Sequence, residues 1–265
     1  MIRPLNLRAR QVRSLRNWGI ELLIVVVGVL LALWASQWVS DREARKNAEI
    51  AAAAMDRDLM FMGHGLMRRF TTQPCIIAAL KRLQIAAATP DGGTFVAPPV
   101  AKIDDDNDGL LGTYYPVGTW SYPMQAFDRA VATGAFNHMD PERARHYADA
   151  YSWVEALART NKLEGDLEAR LSTIAMYDRM DAPSRLALRR DIADADNQNR
   201  FVLRAGRFLF DSMRRLGIEP DDEARADWKF YNERAREVRG DCVIDLPLDF
   251  SGETTGRGWS SEVEE

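Results

Sequence analysis

Cysteine is nearly absent from this chain, with two in 265 residues, and histidine occurs only three times. So few cysteines, with no Cys-x-x-Cys spacing, exclude a disulfide-built scaffold, a thioredoxin-type redox motif and a cysteine-rich zinc site. His64, His138 and His146 stand alone, outside any His-Glu-x-x-His run, so each reads as a surface or packing residue rather than a ligand or general base. Neither a Gly-x-Ser-x-Gly elbow nor a phosphate-cradling glycine loop occurs. Acid is missing before Glu21, and polar side chains are missing from Leu22 to Ala35.

That last absence carries the most information. Fourteen consecutive apolar residues, bracketed by Trp18 and Trp38, make a span of about 20 residues or ~30 Å as a helix, the thickness of a hydrocarbon core with an indole at each interface. Residues 1–17 hold five arginines and no acid, whereas the far flank around Asp41, Arg42 and Glu43 mixes both signs. The positive-inside rule then keeps the N-terminus in the cytoplasm and exports the rest, the arrangement of a bacterial inner-membrane protein with a periplasmic domain. A cleaved signal peptide is the rival reading, opposed by Trp34, Gln37 and Trp38 where a small-x-small cleavage site belongs.

Within the span, Glu21 sits one turn inside Trp18, where a carboxylate either reaches the interface, pairs with an arginine or meets a partner helix. Gly28, Ala32 and Ser36 recur every four residues, a small-residue face that lets a second helix approach and raises a homodimer as one outcome.

The whole chain carries −4 and residues 1–21 carry +4, so the remainder carries −8. Acidity of that kind argues against nucleic acid as a partner. The expected partners are the bilayer itself and a membrane or periplasmic protein. Both cysteines lie in the exported part. Cys75 and Cys242 are expected to pair with each other, unless they bridge two chains or are two unrelated buried thiols.

The periodicity beyond the membrane is helical almost throughout, so the fold class is mainly α: a membrane helix continuing as a stalk over 40–70, then an antiparallel helical bundle over 71–248. Ala44, Ala48, Ala51, Met55, Leu59, Met62, Leu66 and Phe70 form one stripe, with Gly63 and Gly65 as a point where the helix can kink. A short helix follows with Pro74 in its first turn and Ile76, Ile77, Leu80 and Leu83 as its buried face. Pro123 to Thr133 makes another, ended by Gly134. Asp140 and Pro141 open a long helix with the stripe Tyr147, Tyr151, Val154, Leu157, Leu163, Leu167, Leu171 and Ile174. Pro183 and Ser184 start the next, carrying Leu188, Ile192, Phe201, Leu209 and Met213. Asp221 and Asp222, acids suited to a helix start, precede the last, which buries Trp228, Tyr231, Ala235 and Val238. Residues 249–265 lose periodicity and read as a mobile tail.

Residues 89–122 are a long irregular segment, which compact domains keep for binding or as a packed flap. Asp104, Asp106 and Asp108 before Gly109 reproduce the first half of a calcium loop, but position twelve falls on Tyr115 and the bidentate acid is missing. Weak calcium binding is the one cofactor the sequence raises, against a solvated acidic turn. Tyr114, Tyr115, Trp120 and Tyr122 either line a ligand pocket or plug the bundle.

The segment from Glu21 through Gly28 to Trp38, and later Ala126-Phe-Asp-Arg-Ala-Val-Ala-Thr-Gly134-Ala-Phe with Asp140 and a Tyr-bearing helix, resemble an uncharacterised bacterial family of single-pass membrane proteins of unknown function. The resemblance implies an envelope protein with an exported helical domain and supplies no activity. Two functional classes follow. One is a membrane-anchored periplasmic interaction or sensory module; the alternative is an envelope enzyme, or a weak calcium- or ligand-binding protein, with its site between Asp104 and Tyr122.

Overall fold

A computed structural model describes residues 7–89, 114–118, 120–248 and 250. The Asp104, Asp106 and Asp108 triad, most of the irregular segment and the tail beyond residue 250 lie outside the described residues.

Six helices and no strand occur among the described residues. The first, α1 (Leu7–Thr71), is one helix of 65 residues, roughly 100 Å long, whose apolar window has a mean hydropathy of 2.3 and is wholly unburied by protein. Length and composition make it the one described helix able to cross a membrane. Its far half is different: Ala48, Met55, Leu59, Leu66 and Phe70 are buried in the domain core. The expected kink is absent. Gly63 and Gly65 stay helical and serve close packing, since a Cβ at Gly63 would lie 2.7 Å from Met213 Cε and one at Gly65 3.1 Å from Trp120.

The other helices begin where local chemistry allows. Pro74 stands in the first turn of α2 (Gln73–Ala88), where a missing N–H costs nothing. α3 (Gln125–Ala132) ends before Gly134, whose φ of 69° suits glycine, and a 3-10 turn (Ala135–His138) follows. The Asp140 carboxylate accepts from the Glu142 and Arg143 amides to open α4 (Pro141–Leu171). After a second 3-10 stretch (Ser172–Arg179), Asp181 caps α5 (Ala182–Arg215) and Asp221 caps α6 (Asp222–Arg239). Each such cap contributes about 1 kcal/mol.

α4 and α5 form an antiparallel pair, fixed by the Trp153–Phe208 stack at 4.7 Å near one end and the Arg170–Asp191 ion pair at 3.0 Å near the other. α1 runs parallel to α4, with Asp56 beside Tyr147 and Arg69 beside Glu164. Three expected core positions face outward instead: Ile77 and Leu163 are 48% exposed and Phe201 is 37% exposed. On α4 the buried stripe passes through Thr160 and Glu164 rather than Leu163, and on α5 it takes Val202 rather than Phe201. A helix that changes neighbours along its length rotates its buried face, so a stripe extrapolated from one end misses by one position at the other.

Two apolar clusters result. One gathers Met55, Leu59, Phe70, Tyr151, Leu157, Val202 and Leu209; the other gathers Ile76, Leu83, Leu167, Leu171, Tyr177, Leu188 and Ala195. Glu164 falls between Leu157 and Leu167 on α4, and Asn199 between Ala195 and Val202 on α5. A polar layer therefore separates the two cores.

Candidate functional site

The polar layer is built by three helices and one tyrosine. Arg69, near the end of α1, donates through Nη2 to Glu164 Oε1 at 2.7 Å and to Asn199 Oδ1 at 2.9 Å. The Tyr115 hydroxyl lies 2.6 Å from Glu164 Oε1 and 3.1 Å from the Ala195 carbonyl. One turn further along α4, the Glu168 carboxylate accepts from the Tyr114 and Tyr115 amides at 3.0 and 2.5 Å. Two carboxylates at i and i+4 thus bind one tyrosine by its hydroxyl and its backbone.

Burial works against the charge on Arg69, but Glu164 and Tyr115 beside it outweigh that cost and hold the guanidinium protonated above its ordinary value. Burial pushes the Tyr115 phenol up, against the opposing pull of Arg69. Arg69, Tyr115, Glu164 and Asn199 are all buried, so the layer anchors the chain around Tyr115 to the bundle and presents no reactive group to solvent. Sequence reasoning missed Arg69, Glu164 and Asn199. A signal existed: Glu164 stands seven residues after Leu157 and three before Leu167, a charge on the inward stripe.

The four aromatics read as one candidate pocket pack against different parts of the bundle around Arg68, Arg69 and Glu164. Tyr115 enters the polar layer and Tyr114 packs on the second cluster. Trp120 lies over Gly65, exchanges backbone hydrogen bonds with the Asn161 side chain and sits 5.4 Å beneath the Arg68 guanidinium. Tyr122 packs on the first cluster, its phenol pushed up by burial. No group of three or more His, Cys, Asp or Glu side chains able to hold a metal occurs among the described residues.

The small-residue face of the apolar span is open. Glu21, Gly28, Ala32 and Ser36 are all exposed, and a Cβ built on Gly28 meets nothing within 4 Å.

Cys75 and Cys242 are joined, with their Cα atoms 5.0 Å apart across 167 residues of sequence. Cys75 lies in the first turn of α2 and Cys242 ends the 3-10 turn after α6. Beside the bridge, the Ile244 amide donates to the Thr71 carbonyl at 3.0 Å. A bridged pair of this kind points to an oxidising compartment for the helical domain.

Comparison with known protein families, with curated proteins and with solved structures finds no match.

Proposed function

We propose that this protein is a membrane-anchored periplasmic interaction or sensory module of the bacterial inner membrane, held with its N-terminus in the cytoplasm. The observation that carries this reading is the continuity of α1. One unbroken helix presents a wholly unburied apolar window at one end and is rooted in the domain core by Met55, Leu59 and Phe70 at the other. A rotation or tilt of the domain is transmitted by such a rod to the bilayer. The five arginines before the span and the disulfide support the compartment and orientation. A signal carried along this helix passes to a protein partner, in the membrane or the periplasm, or to a second copy of the chain.

The test is crosslinking of the intact protein in its native membrane, beside a variant with Gly28→Leu and Ala32→Leu. A specific partner captured by the native chain and lost in the variant supports the reading. Capture of nothing beyond background in either chain overturns it.

A further inference from the structure

A cleft of about 470 Å³ opens between the bilayer-proximal part of the domain's α1 and the α3 region, away from the polar layer. Asn47, Ala54 and Asp58 line one wall from α1; Gln125 and Arg129 of α3 and Thr133 just past its end form a row opposite. The wall residues of α1 from Asn47 to Asp58 span about 16 Å, and the nearest lining residue, Ala44, follows Trp38 by only ~9 Å of helix. The cleft therefore starts close to headgroup height and runs away from the bilayer.

Its walls are fixed before any ligand arrives. Phe127 stacks on Tyr151 at 4.6 Å and meets Phe136 edge-on at 5.5 Å, while Ala130 and Ala135 are buried, which pins α3 and the following turn to α4 and α1. Asp58 accepts from the Ala126 backbone in the first turn of α3, and its carboxyl is raised from the ordinary value chiefly by burial. Neither it nor Arg129 makes an ion pair with a described residue, and the charge of the adjacent Arg57 offsets only part of the rise at Asp58. Two opposite charges thus share one cleft floored by alanines without neutralising each other.

A pure anion at Arg129 would leave Asp58 repelling it, and a pure cation at Asp58 would leave Arg129 repelling it. A ligand carrying both signs satisfies both. The volume falls within the ordinary 300–1,000 Å³ of small-molecule sites. We infer that the cleft between Asp58 and Arg129 binds a small zwitterion, an ammonium and an acid group joined by a short apolar linker. A phosphoethanolamine headgroup and a short peptide both carry that chemistry. The inference deepens the sensory reading above and rests on it, because the ligand would act on the helix that enters the bilayer.

The test uses the full chain in nanodiscs of phosphatidylglycerol, titrated calorimetrically with glycerophosphoethanolamine and with alanylalanine. Glycerophosphate and ethanolamine serve as singly charged controls. The expected result is saturable binding of a zwitterion at least about tenfold tighter than either control. Asp58→Asn and Arg129→Gln each weaken it about tenfold. Ala54→Leu, which fills the cleft and leaves both charges, abolishes it, and Arg159→Gln, on an exposed stretch of α4, leaves it unchanged. Preference for the headgroup identifies lipid as the source and preference for the dipeptide identifies a peptide. Equal binding of all four probes, no binding of either zwitterion, or binding that survives Ala54→Leu overturns the inference. Crosslinking to a partner reads the proposed function separately, so each fails on its own experiment.

Discussion

Arg69 and Glu164 meet at 2.7 Å in the seam between two apolar clusters, 95 residues apart in sequence and both buried. Their attraction is bought at a high desolvation cost, and the pair ties α1 to α4 only while both partners are present. We expect Arg69→Met alone, or Glu164→Leu alone, to destabilise the domain by about 3–5 kcal/mol because each leaves the other charge buried and unpaired. The double variant should recover most of that loss. Denaturant unfolding of the four proteins in detergent, followed by helical circular dichroism, checks it; additive losses would show that the two side chains are not coupled.

Acid should weaken the fold through His64. Its ring packs edge-on against Trp228 at 5.5 Å, and burial, followed by the nearby Arg68 charge, lowers its imidazole to about 4, with Asp227 offsetting part of the effect. The folded value lies below the ~6.5 of an unfolded chain. Stability from this group is therefore fully present above pH ~6.5 and is lost as pH falls toward 4. Allowing for its residual contact with solvent, the loss is about 2 kcal/mol. The unfolding midpoint of the native protein should fall relative to that of His64→Leu as pH drops from 7 to 4; parallel curves would assign the acid sensitivity elsewhere.

Gly206 on α5 should resist replacement although alanine is the better helix former. A Cβ there would lie 2.7 Å from Leu66 Cδ2 and 2.8 Å from Phe70 Cζ, both in the buried core of α1. Helix propensity favours alanine by ~1 kcal/mol, but overpacking a closed core costs about 1–3 kcal/mol. Gly206→Ala is expected to lower the melting temperature. Gly28→Ala, with open space around it, is expected to leave it unchanged.

Reduction of the Cys75–Cys242 bridge should lower stability without releasing the C-terminal segment. The closed loop is long enough for the chain-entropy model to assign it about 5 kcal/mol. Noncovalent contacts remain: Trp228 Nε1 donates to the Leu246 carbonyl at 2.7 Å, and Phe250 stacks on Phe210 at 5.3 Å. Thermal melts with and without dithiothreitol should show a lower midpoint in reductant, with tryptophan fluorescence of the folded state unchanged. An early fluorescence change below the melt would mean that the bridge alone holds the segment.

Local chemistry was legible in the residues. Leu22 to Ala35 reads as a helix made for an apolar environment, since fourteen apolar side chains with tryptophan flanks match the thickness of a bilayer. Asp140 and Asp221 mark helix starts because a carboxylate one step outside a helix reaches its free amides without help from the rest of the fold, whereas α5 opens at Ala182 behind an Asp181 cap rather than at Pro183. Cys75 and Cys242, as the two cysteines, had one intrachain pairing open to them.

Tertiary structure decided the rest. Leu157 and Leu167 place Glu164 on the inward stripe of α4, but which charge it meets there depends on where α1 delivers Arg69, 95 residues away in sequence. Gly63 and Gly65 read as weak points in a helix, yet their missing side chains make room for Met213, Phe250 and Trp120 from distant parts of the chain. The cleft between Asp58 and Arg129 is likewise invisible in sequence, since it exists only because Phe127 and Tyr151 hold α3 against α1 and α4. Periodicity and capping are properties of neighbours along the chain, and so the sequence by itself determined the helices and the apolar span of α1. Charge partners, close approaches and clefts are properties of neighbours in space, and only the packing of the helices settled them.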